Sequence, residues 1–257
     1  MAGAARAPLA APLLPALALL TGLLAGGIQP AGLLVGTLFV LWVLQPPRAL
    51  PAGLWLGASL LAGTALAAHA LPGFAPLQLS APRALSADAA PYAVRLHWDK
   101  LLLGATLLAW WWRQPHPRPA RPHAAWLCAL ATLLAVPALA LALGVVAWQP
   151  KWPPELAVWL AVNLGVTALA EELLFRALLQ GALVARLGAA RGIALTALLF
   201  GLAHAPFSIG FAVVATVAGL GYGWLLQLSG RLWPAVLLHG AVNLAHFLLL
   251  SYPLRSL

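Results

Sequence analysis

Two adjacent carboxylates, Glu171 and Glu172, precede Arg176 in the otherwise apolar stretch ALAEELLFRALLQ (residues 168–180). The whole chain has only five acidic residues. Residues four apart share a helix face, so Glu172 can pair with Arg176, whereas Glu171 is rotated by about 100° from its neighbour. We therefore predict that Glu171 is a catalytic carboxylate and that Glu172 and Arg176 form a structural pair. The alternative is a single buried charge network that holds helices together.

Two further motifs place imidazoles and an amide in apolar segments. Phe200-Gly-Leu-Ala-His204 supplies one histidine, and His239-Gly-Ala-Val-Asn243 supplies a histidine and an asparagine on one helix face. Together with a carboxylate they could converge on one cavity, as a general base with donors for an oxyanion. The same atoms could instead bind zinc. We interpret His246 as a core histidine or as a residue that contacts the site side chains without touching the substrate.

The composition indicates that membrane-spanning helices must position these side chains. The chain is 63% hydrophobic and 7% charged, whereas a soluble domain is about a quarter charged. Ionisable side chains are costly in a bilayer and mark functional sites there. The net charge of +9 comes from basic residues scattered singly at the ends of apolar runs. That pattern is typical of membrane topology signals, and it offers no basic face for nucleic acid.

The apolar runs predict an all-α fold, a polytopic transmembrane helical bundle with about eight or nine spans. The single cysteine, Cys128, excludes a disulfide framework. The long loop 72–98 is expected to face outward, and the distribution of Lys and Arg favours a cytoplasmic N-terminus. The predicted spans are 8–27, 30–46, 50–71, 99–113, 124–147, 155–183, 191–206, 211–228 and 232–252.

The polar residues divide the chain into two parts. Residues 1–98 are predicted to form N-terminal transmembrane helices and the outward loop, with no assigned motif, and the sequence leaves the role of His69 open. Residues 99–257 are predicted to form the functional core, with its motifs within 155–250. A small proton-coupled transporter would instead place buried ionisable residues in both halves of the chain.

The three motifs resemble those of the CAAX prenyl-protease and bacteriocin-processing (CPBP or Abi) family of intramembrane proteases. That family's pattern is E-E-x-x-x-R, then F-x-x-x-H, then H-x-x-x-N, and here it covers about residues 155 to 250. The stretch His97-Trp98-Asp99-Lys100 also resembles an Asp-Lys pair that opens a span in some bacterial glutamic-type members.

The resemblance implies an intramembrane endopeptidase that acts on a membrane-associated or secreted peptide or protein. Glu171 with His204 would activate a water, and His239 with Asn243 would hold the oxyanion. The supporting residues would be Glu172, Arg176 and Phe200.

The mechanism that this resemblance implies has two forms, because the family includes enzymes described as glutamic-type and as metalloproteases. We favour the glutamic form without a cofactor, since the sequence has no H-E-x-x-H pair. The alternative is a zinc enzyme with Glu171, His204 and His239 as ligands. A non-catalytic scaffold or immunity protein is a further alternative.

The expected location is the bacterial inner membrane, because the Ala, Leu, Arg and Trp usage is typical of a high-GC bacterial membrane protein. The predicted partners are the lipid bilayer and a peptide or protein substrate, with no nucleic acid. Neither the substrate sequence nor the oligomeric state follows from the residues.

Overall fold

The computed structural model describes residues 12–47, 49–114 and 121–255, so the start of the first predicted span lies outside the described residues. Within them the chain forms nine helices and one two-stranded β-ribbon, which confirms the predicted all-α bundle. The helices are α1 (Leu13–Leu24), α2 (Pro30–Leu44), α3 (Ala52–Ala67), α4 (Trp98–Trp111), α5 (Pro122–Ala142), α6 (Leu156–Leu187), α7 (Ala189–Ala203), α8 (Ile209–Ser229) and α9 (Leu232–Leu249).

Four of the described helices, α5, α6, α8 and α9, are long and apolar enough to cross a membrane, by length and composition. Helices α1, α2, α3 and α7 are apolar but have only 12 to 16 residues. At a rise of 1.5 Å per residue, 12 to 16 residues extend about 18–24 Å, against a hydrocarbon core of about 30 Å. The nine predicted segments thus correspond to nine helices of unequal length in a multi-pass membrane protein.

The outer face of α5 illustrates how the bundle meets lipid. Trp126, Leu127, Leu130 and Leu134 are between 55% and 76% exposed. A contiguous apolar surface of this kind is unfavourable in water and favourable against acyl chains. The exposed leucines of α1 and α2 follow the same logic, since these helices are apolar around their whole circumference.

Helix α6 carries both glutamates and departs from regular α-helical geometry. Residues Asn163–Ala168 and Leu173–Gln180 form π-helical turns, and Leu169–Glu172 form one α-helical turn between them. A π-turn bonds residue i to i+5, and such turns occur mostly at functional sites. The sequence periodicity predicted a uniform helix here, so the widened turns on either side of Glu171 and Glu172 are a finding of the structure.

Helix α6 contacts the two larger of the three apolar clusters among the described residues. One cluster joins α2, α3, α4 and α9 to α6, and the other joins α5, α7, α8 and α9. Phe175 of α6 packs against both. Gly240 allows α9 to come close, because a Cβ at that position would lie only 2.7 Å from the Leu164 side chain. This approach brings the neighbouring His239 to the glutamates of α6.

The connection from α3 to α4 is folded against the ends of the bundle. Its two short strands, Leu77–Gln78 and Arg95–Leu96, pair antiparallel, with Leu77 opposite Leu96. Asp88 accepts hydrogen bonds from Gln149 (2.7 Å) and Ser251 (2.8 Å) and forms an ion pair with Arg255 (3.1 Å). The predicted long loop is therefore attached to the C-terminal segment and forms one wall of a polar cavity of about 280 Å³.

Candidate active site

Glu172 lies in the protein interior and contacts the guanidinium of Arg176 and the imidazole of His239. Its Oε2 is 3.1 Å from Arg176 Nε, and its Oε1 accepts a hydrogen bond from His239 Nδ1 at 3.0 Å. The side chains of Glu172 and Arg176 have no solvent exposure. The pairing with Arg176 follows from the i, i+4 spacing, whereas the contact with His239 depends on the packing of α9 against α6.

Arg176 is held by aromatic rings rather than by aligned hydrogen bonds. Its guanidinium carbon lies 4.7 Å from the centre of the Phe200 ring and 5.6 Å from that of Tyr222. None of its three guanidinium nitrogens has an aligned hydrogen-bond partner within the described part of the chain. Cation–π contacts of this kind are strongest where water is excluded. The Glu172–Arg176 contact is therefore an ion pair in an aromatic cage.

Tyr222 is a site residue that the sequence motifs do not contain. Its ring stacks on His239 with centroids 4.8 Å apart and an interplanar angle of 16°. It is 1% exposed and lies between two glycines of α8. The ring thus fixes the plane of the His239 imidazole, while Glu172 fixes its rotation.

Glu171 points to a different environment from that of Glu172. Its Oε1 is 3.1 Å from Lys100 Nζ of α4, and its Oε2 is 3.9 Å from His239 Nε2. Its side chain is 13% exposed. The distance to His239 is too long for a direct hydrogen bond but can be bridged by a water molecule.

His239 therefore connects the two glutamates through its two ring nitrogens. Because Nδ1 donates to Glu172, Nε2 is directed towards Glu171. In catalytic triads a buried carboxylate orients a histidine through the same nitrogen.

His204 directly follows α7, and its Nδ1 hydrogen-bonds the Phe200 carbonyl at 2.8 Å. A backbone carbonyl only accepts, so Nδ1 carries the proton and a neutral His204 has an accepting Nε2. His204, His239 and Asn243 line the same cavity of about 70 Å³. That volume is enough for about two water molecules.

Asn243 links this small cavity to a larger one. Its Nδ2 donates to Asn163 Oδ1 at 3.2 Å, in the first π-helical turn of α6. Asn163 also lines a polar cavity of about 280 Å³, together with Thr167, Lys100 and His97. The two hydrogen-bonded asparagines thus lie between the 70 Å³ cavity and the 280 Å³ cavity.

His246 also lines the small cavity, but its ring is engaged elsewhere. Its Nε2 hydrogen-bonds the Ser251 carbonyl at 2.9 Å, and its ring packs 5.0 Å from that of Tyr252. These contacts attach α9 to the C-terminal segment, as a core histidine would.

The structure places His204, His239 and Asn243 around one small cavity, and Glu171 lies 3.9 Å from His239. A scan against protein-family models matches residues 153–245 to the type II CAAX prenyl endopeptidase Rce1-like family. This match covers 93 of the 257 residues, which we call the Rce1-like segment. No curated protein and no solved structure matches the chain.

The Rce1-like segment contains helices α6 to α8 and most of α9, and it includes Glu171, His204, His239 and Asn243. The match to this family supports an intramembrane protease. Lys100, the cation beside Glu171, lies outside the Rce1-like segment in α4. One pattern in the sequence points to Lys100, the Asp99-Lys100 pair at the start of a predicted span.

The Rce1-like segment also contains the donors that a zinc ion would need, because Glu171, His204 and His239 supply one carboxylate and two imidazoles. The Glu172 contact leaves Nε2 of His239 directed towards Glu171. However, the Lys100 ammonium already occupies one side of the Glu171 carboxylate. A divalent cation on Glu171 would be repelled by that ammonium unless Lys100 moved or lost its proton.

Proposed function

We propose that the chain is an intramembrane endopeptidase in which Glu171 activates a water molecule for attack on a peptide carbonyl. One observation carries the proposal: Glu171 Oε2 and His239 Nε2 are 3.9 Å apart, while Glu172 holds the opposite nitrogen of the same ring. The carboxylate and the imidazole thus face a common point that can hold one water molecule or the reacting carbonyl oxygen.

In this mechanism Glu171 takes a proton from water as the water oxygen bonds to the carbonyl carbon. The accepting Nε2 of His204 positions the water through its second proton. The carbonyl oxygen becomes an oxyanion, which accepts hydrogen bonds from Nδ2 of Asn243 and from His239. An imidazolium at His239 would donate from Nδ1 to Glu172 and from Nε2 to the oxyanion.

The second step breaks the carbon–nitrogen bond. Glu171 returns its proton to the leaving nitrogen, so the products are a carboxylic acid and an amine, and the enzyme is restored. Glu172 and Arg176 remain unchanged throughout, since their charges are satisfied by each other and by His239. Their role in this account is to fix the position of His239.

The glutamic form of the mechanism is favoured over the zinc form by Lys100. Its ammonium lies 3.1 Å from Glu171 Oε1 and stabilises the ionised carboxylate without a metal. In the zinc form, Glu171, His204 and His239 would hold the ion, and the ion would polarise the carbonyl and activate the water.

We further propose that the substrate is a membrane-associated or secreted peptide or protein and that it reaches Glu171 through the 280 Å³ cavity. This cavity is lined by the α3–α4 connection on one side and by α6 on the other. The distribution of Lys and Arg supports a cytoplasmic N-terminus in a bacterial inner membrane.

The test compares cells that express the wild-type chain with cells that express Glu171→Gln, His204→Ala or His239→Ala. Mass spectrometry of membrane and secreted peptides should reveal cleavage products present only with the wild type. Glu155→Gln is the matched control, because Glu155 makes an ion pair with Arg83 at 2.7 Å outside the site. Products at wild-type levels in Glu171→Gln membranes would overturn the proposal.

A further inference from the structure

A second cluster of polar side chains lies where α3 ends and α4 begins. His69 Nδ1 is 2.9 Å and 3.0 Å from the two carboxylate oxygens of Asp99. The rings of His69 and His97 stack with centroids 3.9 Å apart. One nitrogen or oxygen atom from each of the three residues lies within 4.8 Å of the other two.

The backbone of His69 is unusual and requires an explanation. His69 follows α3 with φ of +57°, the only positive φ at a non-glycine residue in the described part of the chain. Glycine is preferred at this position after a helix, because other residues meet steric strain there. The contacts of the His69 side chain with Asp99 and His97 offset that strain, so the imidazole itself matters at this position.

The cluster combines a buried ligand with access from outside. The Asp99 side chain is 3% exposed, whereas that of His69 is 38% exposed. His69 and His97 both line the 280 Å³ cavity. A small hydrated ion could therefore reach the cluster through the cavity and lose part of its water shell against Asp99.

We propose that His69, His97 and Asp99 bind a divalent transition metal ion, with zinc as the best fit, at a site separate from Glu171, His204 and His239. Two imidazoles and one carboxylate are a common zinc ligand set, with a fourth position for water from the cavity. Ligands at 2.0–2.1 Å from a tetrahedral ion are about 3.4 Å apart. A spacing of 4.8 Å would therefore have to close by about 1.4 Å, which is about 0.7 Å for each of two side chains.

A metal ion bound at this site would also affect the position of Lys100. Asp99 Oδ1 accepts a hydrogen bond from the backbone N–H of Lys100 at 2.8 Å. The Lys100 side chain in turn reaches Glu171. A metal ion on Asp99 would join the end of α3 to the start of α4 and so fix the origin of the Lys100 side chain. This inference does not depend on the proposed peptidase activity.

The experiment measures Zn²⁺ binding to the purified full-length protein in detergent, by calorimetry after chelator treatment. The wild type and the Glu171→Gln and His204→Ala variants should bind one equivalent with equal affinity. His69→Ala, His97→Ala and Asp99→Asn should each weaken binding by at least about tenfold. His123→Ala is the control for removal of a histidine outside both clusters, and size-exclusion profiles establish that each variant is folded.

Three results would overturn the proposal. The first is an absence of Zn²⁺ binding by the wild type. The second is unchanged binding in both His69→Ala and His97→Ala. The third is loss of binding in Glu171→Gln and His204→Ala with retention in His69→Ala, which would place zinc at the candidate active site. Because the readout is metal binding, a failure of the proposed peptidase activity would leave these expectations unchanged.

Discussion

The two faces of α6 at residues 171 and 172 are chemically alike in sequence and different in structure. Glu172 faces a closed region in which Arg176, His239 and two aromatic rings surround it. Glu171 faces an open region, where Lys100 of α4 is its cation. The ion pair of the closed region has no solvent exposure, whereas the Glu171 side chain is 13% exposed and Lys100 lines the 280 Å³ cavity. This difference in burial is the reason that we propose different roles for the two residues. Glu172 positions His239, whereas Glu171 contacts water and substrate.

The comparison also separates what is local from what is long-range. The cation that pairs with Glu172 in the closed region, Arg176, is four residues away in the same helix. The partner of Glu171 in the open region is 71 residues away in α4, outside the Rce1-like segment. The ion pair of the closed region thus lies within the Rce1-like segment, whereas that of the open region requires α4, which lies outside it.

The largest expected effect is the loss of activity in Glu171→Gln. Removing a general base lowers the rate of such reactions by about 10²–10⁴-fold, and the amide cannot accept the proton. The thermal unfolding temperature in detergent should stay close to that of the wild type, because Lys100 remains partly hydrated. The rate of product formation, with Glu155→Gln alongside, provides the measurement. A large drop in the unfolding temperature would show that Glu171 also stabilises the fold. The two faces of α6 would then not differ as proposed.

Glu172→Gln should mainly reduce stability. Breaking a buried ion pair costs about 3–5 kcal/mol, because the remaining Arg176 charge is left without a counter-ion. Activity should also fall, since His239 loses the acceptor for Nδ1. Unfolding in detergent provides the measurement, and a stability equal to that of Glu171→Gln would contradict the assignment of the closed region.

Lys100→Met should weaken activity without abolishing it. A hydrogen bond to a charged group contributes about 1.5–3 kcal/mol, so a rate lower by about 10–100-fold is expected. Lys151→Met is a suitable control, because Lys151 bonds backbone carbonyls away from Glu171. Wild-type rates in Lys100→Met would show that the open region needs no cation.

Phe200→Leu should have the smallest effect of the four. The substitution keeps an apolar side chain but removes the ring beneath Arg176, and a cation–π contact is worth about 0.5–2 kcal/mol. A modest decrease in unfolding temperature is expected, smaller than that of Glu172→Gln. An equal or larger decrease would mean that the ring contributes more than the carboxylate to holding Arg176.

Much of the bundle and the contact of Glu172 with Arg176 could be predicted from the sequence. Apolar runs of sufficient length predict helices in a membrane, and the i, i+4 spacing predicts that Glu172 pairs with Arg176. The spacings within the motifs also predict which residues share a face of one helix, as for His239 and Asn243. These are local properties that depend only on helix geometry.

The remaining features depend on which helices are neighbours, and the spacing of residues does not encode this. The contacts of Glu171 with Lys100, of Asn243 with Asn163, and of Tyr222 with His239 each join two helices. The π-helical turns of α6 were also missed, because a locally widened turn leaves the apolar composition unchanged. The cluster of His69, His97 and Asp99 requires the fold of the α3–α4 connection.

The most direct test of the central claim is the cleavage rate of Glu171→Gln per folded molecule, measured beside Glu172→Gln in the same detergent. The account predicts that Glu171→Gln remains folded and loses cleavage, whereas Glu172→Gln loses stability. Cleavage by folded Glu171→Gln at the wild-type rate would contradict the assignment of Glu171 as the residue that activates water.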